Sequence, residues 1–321
     1  MITPLLSVII PTHKRPQFLP RAIESALQAA LNGDIEVIVV PNGSDTSWKS
    51  VAEQFKDESR VKWHPIEKPH ANVARNHGMK LAQGKYIRFL DDDDFLYPEA
   101  AQKQLEELIE LDADISCGQI TKTDEVGNIL ELAQQLNTDD FIEAAIGRGH
   151  STQPGALVMK RSVTEGCIWD EIINKKQDVY WAWELCKKQE LKSFRFRQAV
   201  SAWVQHDGQR LSKGHSVNQT SKETAKRALD VYFHLKDQKR LNEERKIAIS
   251  SRLWRCVHNG LMFEPLYWIK ISFTARRISK KGTPATPFYQ ILPHWLNPLV
   301  WELLIVPIRW VKVLTGHHYS N

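Results

Sequence analysis

The sequence predicts an α/β fold: a mostly parallel central sheet with helices on both faces, followed by a helical C-terminal extension. Three observations carry that expectation. Short β-branched runs alternate with helical patterns at a regular beat from Leu6 to Leu111. The strand runs are almost continuously apolar, as in strands covered on both faces of a parallel sheet. From about Ser221 the strand signals stop, and the chain becomes helical in pattern and rich in Lys, Arg and Trp.

The elements follow in order. Leu6–Ile10 reads as the first buried strand, and Ile23, Leu27, Ala30 and Leu31 give the spacing of a helix that Asn32-Gly33 ends. Glu36–Val40 is the second strand, a polar helix follows over Trp48–Phe55, and Val61–His64 is a weakly alternating third strand. Ala71–Ala82 is a helix closed by Gly84, Tyr86–Leu90 the fourth strand, and Pro98–Leu111 a helix with Leu105, Leu108 and Leu111 inward. Strands alternating with helices in this way require right-handed crossovers and place ligands at the carboxyl ends of the strands. Beyond Ala113 the pattern loosens into mixed strands and loops, including Ile115–Thr121, Ala156–Met159 and a late strand over Ala199–Val204. The expected organisation is a catalytic domain over 1–214 and a basic, Trp-rich helical region over 215–321.

Composition bounds the function. The 321 residues carry 42% hydrophobic and 25% charged side chains, which excludes a disordered chain. The four cysteines form no C-x-x-C pair, which argues against a zinc site or dithiol centre and suits a reducing compartment. The stretch MITPLLSVIIPTHKR lacks a basic leader and stops at Pro11, so it reads as a strand rather than a signal peptide, and the expected location is cytoplasmic. Residues 1–205 hold 24 Lys+Arg against 30 Asp+Glu, whereas residues 206–321 hold 19 against 8. A basic tail on an acidic domain is either a solvated surface or the seat of an anionic partner. Leu296–Leu314 is apolar but broken by Glu302, Pro307, Arg309 and Lys312, which disfavours a spanning helix. It suits peripheral binding to an anionic membrane, with Trp301 and Trp310 at headgroup level and Arg276, Arg277, Lys280 and Lys281 adding attraction; packing on the catalytic domain is the alternative.

The sharpest chemical signal is Asp91-Asp-Asp-Asp94, between a buried strand and a helix. Four carboxylates in an occluded site repel unless a cation compensates them, and oxygen ligands of this kind suit Mg²⁺ or Mn²⁺ shared with substrate phosphates. No G-x-G-x-x-G or G-x-x-x-x-G-K-[ST] occurs, which excludes dinucleotide and P-loop enzymes, and Pro11–Pro16 has no glycine to cradle a triphosphate.

In order and spacing, Ser7-Val-Ile-Ile-Pro-Thr12, Glu36–Val40, Ala74-Arg-Asn-His-Gly78 and Gly84–Asp94 resemble the motifs of glycosyltransferase family 2. The resemblance spans roughly residues 5–212. It implies a GT-A fold and an inverting transfer from a nucleotide sugar to a hydroxyl of a glycan or lipid-linked acceptor, in surface polysaccharide synthesis. It also implies Asp91 near the donor ribose, Asp92 at the variable position of the D-x-D element, Asp93 on the metal, Pro11 and Thr12 as the lip of the nucleobase site, and Arg75 as a donor-site cation. Where the family carries two aspartates after the second strand, this chain has Pro41-Asn42; the Asn42 carbonyl still suits the N3–H of uracil, so a UDP-sugar is expected.

Asp178 resembles the acid of the family's E-D pair at a helix start, with Gln177 in place of the first acid. A helix cap would occupy the same position, but inverting transfer needs a general base, and Asp178 is the candidate. His206, after the last core strand, resembles a third metal ligand. Trp181 and Trp183 flank the base and offer indole faces to an acceptor sugar, core packing being the alternative. The competing function is a non-catalytic nucleotide-sugar or nucleic-acid binding protein. The intact acidic positions argue against it, and no nucleic-acid partner is expected.

Overall fold

The structure is a computed structural model that describes residues 3–30, 34–147, 149–206, 217–284 and 297–314. The chain forms two compact units, one of residues 1–145 and 149–211, the other of 146–148 and 212–321. The boundary expected between 214 and 215 lies outside the described residues.

In the first unit, β1 (Leu6–Thr12), α1 (Leu19–Leu27), β2 (Ile35–Pro41), α2 (Lys49–Gln54), β3 (Val61–Trp63), α3 (Ala71–Leu81), β4 (Tyr86–Phe89) and α4 (Pro98–Glu110) follow the expected alternation. The short β5 (Phe95–Leu96) sits between β4 and α4. Then come β6 (Ile115–Thr123), β7 (Ile129–Leu132), α5 (Phe141–Ile146), β8 (Leu157–Lys160), α6 (Gln177–Lys188) and β9 (Ser193–Val204).

All nine strands join one sheet in the order β3-β2-β1-β4-β8-β6-β9-β5, with β7 on β6. β1, β2, β3 and β4 pair in parallel, as do β6 and β9, while β5, β7 and β8 run antiparallel to their neighbours. β1 and β2 are buried at every position, as their mostly apolar runs require. Leu19, Ala22, Ile23 and Ala26 of α1 close over them. Fully burying a Leu or Ile side chain stabilises by about 1.5–3 kcal/mol, so Leu19 and Ile23 are the two main anchors of α1 on the sheet. α3 lies against β1 because Gly78 has no side chain: a Cβ there would come 2.5 Å from Ile9 Cγ2.

Leu111, expected inward, lies just past the end of α4 and is exposed, and three strands of this unit also depart from expectation. β9 begins at Ser193 rather than Ala199, because Ser-Phe-Arg-Phe-Arg-Gln is a half-exposed alternating strand whose charges mask the pattern. β7 escapes sequence reading because all four of its residues are exposed. β5 is too short to carry a period.

The second unit contains α7 (Val217–Asp237), α8 (Glu243–Gly260), α9 (Pro265–Ile278) and α10 (Pro298–Leu314). α7 starts four residues before the expected Ser221. Asn242 caps α8 by accepting from the Arg245 backbone N–H at 2.8 Å. Trp254 and Trp268 form its core, and the Trp268 indole N–H donates to Asn218 Oδ1 at 2.9 Å.

Candidate active site

The strand order reverses at β1, whose neighbours are β2 on one side and β4 on the other. Open α/β sheets leave a crevice at the carboxyl ends of the strands where the order reverses. The ends of β1, β2 and β4 carry Thr12, Asn42 and Asp91–Asp94. The expected lip residues Pro11 and Thr12, and Asn42, expected to face the base, are all buried. The Thr12 carbonyl accepts from both the Asn42 backbone N–H (3.0 Å) and its side-chain amide (2.9 Å), which ties β1 to β2. The Asn42 amide nitrogen is thereby turned inward. His13 Nδ1 lies 2.6 Å from the Asn42 carbonyl oxygen. Gly43 then turns the chain at φ +80°, which a side chain would strain.

The four aspartates split into two depths. Asp91 and Asp93 are partly open, whereas Asp92 and Asp94 are buried. Asp92 accepts from the His13 backbone N–H (3.3 Å) and from the Arg15 guanidinium (3.2 Å). Asp94 accepts from Gln153 Nε2 (2.9 Å) and the Val204 backbone N–H (3.0 Å), which fastens the cluster to the end of β9. Asp93 accepts from the same Arg15 and lies 3.0 Å from His206 Nε2. Burial first, and repulsion from Asp93 second, push the Asp92 carboxyl up to about 7 and the Asp94 carboxyl well above its ordinary range. Carboxyl oxygens of Asp91, Asp93 and Asp94 lie within 4.8 Å of one another, a set that fits a hard divalent cation. His206 reaches this set through Asp93, and its ring packs tilted against Phe18 with centroids 4.9 Å apart.

Arg75 links the cluster to α6. Its guanidinium sits 4.5 Å over the Trp169 ring and donates to Asn72 Oδ1 (2.9 Å), Gln177 Oε1 (3.0 Å) and Asp91 Oδ1 (2.7 Å). Gln177, where the family carries an acid, is therefore a neutral acceptor for a buried cation. Asp178 follows in the first turn of α6. It is half-buried, and its Oδ2 accepts from the Thr152 hydroxyl at 3.0 Å. Burial raises its carboxyl above the ordinary value; the Val179 N–H and Thr152 bonds offset part of that, and Asp91 adds to it.

Sequence reasoning brought every expected residue to this one unit but missed four partners. Arg15 neutralises Asp92 and Asp93, Asp94 completes the acidic triad, and Thr152 and Gln153 hold Asp178 and Asp94 from one short segment. Arg15, just beyond the first strand, was legible as a cation and Asp94 as a member of the acidic run; Thr152 and Gln153 depend on long-range packing. The acceptor role for Trp181 and Trp183 is overturned. Both are fully buried: Trp181 stacks on Trp169 at 4.7 Å and donates to the Cys167 carbonyl, and Trp183 donates to the Ala145 carbonyl at 2.9 Å. Each indole N–H is satisfied inside, so both indoles are core.

Comparison with known proteins bears on the fold and the family. A TM-score of 0.65 relates the chain to the crystal structure of S. aureus TarS 1-349 in complex with UDP-GlcNAc, at 16% identity, covering 98% of this chain and 93% of that one. That likeness concerns the fold, which is the GT-A-like α/β fold with a C-terminal helical region. In sequence, the chain is 30% identical over 188 residues to the GalNAc(5)-diNAcBac-PP-undecaprenol beta-1,3-glucosyltransferase of Campylobacter jejuni, covering 56% of this chain and 59% of that protein. It is 32% identical over 130 residues to the chondroitin synthase of Escherichia coli, covering 40% of this chain and 19% of that protein. The chain thus spans less than two thirds of these curated relatives. The profile described as Glycosyl transferase family 2 matches residues 7–166, the segment that holds β1, the acidic cluster and Arg75, and through it the chain belongs to that family.

Proposed function

We propose that this protein is an inverting glycosyltransferase that moves a sugar from a UDP-sugar to a hydroxyl of a glycan or lipid-linked acceptor. The observation that carries the reading is the pairing of two acidic centres by one segment: Gln153 holds Asp94 of the cluster, and Thr152 holds Asp178. Asp91, Asp93 and Asp94, with His206 beside them, would hold Mn²⁺ or Mg²⁺, which when bound supplies positive charge against the departing diphosphate.

The chain's own residues do the rest. Arg75 fixes Asp91, and Arg15 supplies a second positive group at the cluster. Pro11, Thr12 and Asn42 form the floor of the base site, with Asp91 and Asp92 on the donor side. Asp178 takes the proton of the acceptor hydroxyl as its oxygen bonds the anomeric carbon and the bond to the diphosphate oxygen breaks. A carboxyl raised toward working pH by burial is a better base than an ordinary aspartate.

UDP-GlcNAc bound to a protein of this fold supports the donor class, and the undecaprenol-linked substrate of the Campylobacter relative supports a lipid-linked acceptor. Such acceptors sit at membranes, so a cytoplasmic protein peripheral on an anionic surface is the setting that fits. Among the described residues no helix is long and apolar enough to cross a membrane. Nucleic acid has no role in this reading, and a non-catalytic binding protein would leave Asp178 without a task.

A thermal-shift screen of UDP-sugars with and without Mn²⁺ tests it, since a ligand of the native state raises apparent stability. A UDP-sugar should raise the Tm only when Mn²⁺ is present. If no nucleotide sugar shifts the Tm in either condition, the donor assignment fails.

A further inference from the structure

We infer that α10 is built inside out and that its outer face seats this protein in the interface of a bilayer with anionic headgroups. The inference deepens the membrane half of the reading above and rests on none of its transfer chemistry.

A surface helix ordinarily turns its apolar stripe to the core and its charges to water. α10 does the reverse. Glu302 is 0% exposed and Arg309 7%, whereas Val300, Leu303, Leu304 and Ile308 are between 45% and 62% exposed. Pro307 is exposed as well. The outward positions 300, 303, 304, 307 and 308 follow the spacing of a single helical face. The inward charges are held: both Glu302 oxygens lie 3.0 Å from His258 Nδ1 of α8, and Arg309 donates to the His258 carbonyl. A buried carboxylate is unfavourable unless it is paired, so these bonds fix which face of α10 points in. Water is then left against a continuous apolar strip.

Neighbouring sequence supplies the matching charge. On α9, Leu266 (80% exposed), Lys270, Phe273 (55% exposed) and Arg277 share one exposed face, and the exposed Lys280 and Lys281 follow. An exposed helix face that mixes bulky apolar side chains with Lys and Arg is the composition of an interfacial element. Residues 206–321 hold 19 Lys+Arg against 8 Asp+Glu, so a second copy would bring like charge to this basic region, whereas anionic headgroups would bring the opposite. Pro307 has no N–H to give the Leu303 carbonyl, which leaves that carbonyl to water or headgroups on the outer side and suits a helix lying at the interface. Trp301 is half-buried at the start of the helix; the Trp310 side chain lies outside the described residues.

Flotation of the full chain with vesicles tests this, using pure phosphatidylcholine and a mixture with phosphatidylglycerol. The protein should float with the anionic mixture and at least about tenfold less with the neutral one. Leu304→Glu with Ile308→Glu should lower binding to anionic vesicles by roughly tenfold or more. Both positions face solvent, so the Tm and Mn²⁺-dependent UDP binding should be unchanged. The inference is overturned if the wild type does not float, if the double variant floats as well as the wild type, or if the wild type sediments as a dimer that the double variant dissociates without vesicle binding. UDP binding without flotation would sink this inference alone, and flotation without UDP binding would sink the donor reading alone.

Discussion

The acidic cluster after β4 and the lone acid at the head of α6 have the same chemistry and opposite predicaments. Asp92 and Asp94 are raised by burial and by one another's neighbours, so the cluster is a concentration of negative charge that a cation relieves. Asp178 is raised mainly by burial and keeps a single hydroxyl partner, so it is set to take up one proton. The two are tied mechanically by Thr152-Gln153 and electrostatically by Arg75 and Asp91. Burial raises all three carboxyls; what differs is the second influence, repulsion from Asp93 in the cluster against hydrogen bonds that hold Asp178 down.

That division can be broken by mutation. The largest effect should come from Asp93→Asn, which removes the carboxylate facing Arg15 and His206: transfer should fall by about a thousandfold or more, together with metal-dependent donor binding. Asp178→Asn should cut turnover by ~100-fold or more at nearly unchanged donor affinity. The pH dependence sharpens the contrast. Because the folded Asp178 carboxyl is raised, its basic form is lost as pH falls through a value above the ordinary 3.8, so the acid limb of kcat should lie above that of a solvent-exposed aspartate.

A stability measurement probes the cluster. With Asp92 near 7 in the folded chain and near 3.8 when unfolded, its contribution is fully present below 3.8 and is lost as pH rises toward 7. The Tm of the metal-free protein should therefore fall over that window, Asp92→Asn should flatten the fall, and Mn²⁺ should reverse it. The smallest effect belongs to Thr152→Val. Losing one hydrogen bond to the base should lower kcat by about threefold to tenfold and move its acid limb to higher pH, because that bond holds the Asp178 carboxyl down. Serine at the same position should restore both.

The parallel half of the fold was legible because Leu6–Ile10 and Glu36–Val40 are apolar but for Ser7 and Glu36, as in strands covered on both faces. The second half was less so. β9 carries Arg195 and Arg197 on a half-exposed strand, and β7 has no buried residue to give it a period. In the site, Asp91–Asp94 were visible because like charges in a row after a buried strand have few structural uses. Thr152 and Gln153 were not, because an ordinary polar pair is told apart only by what packs against it. Trp181 and Trp183 misled because an aromatic residue at the head of a helix reads the same whether its ring faces substrate or the core, as Trp181 faces Trp169 and Phe89 and Trp183 faces Tyr180. In α10 the apolar run and the charges that break it were visible, but which face turns inward is set by the bonds of Glu302 and Arg309 to His258.

The most direct test of the division is one titration done on two variants. UDP binding is measured calorimetrically with and without Mn²⁺ in Asp93→Asn and Asp178→Asn, alongside the wild type. The account predicts that Mn²⁺ strengthens UDP binding equally in the wild type and Asp178→Asn and has no effect in Asp93→Asn. Undiminished Mn²⁺-dependent binding in Asp93→Asn, or its loss in Asp178→Asn, would contradict it.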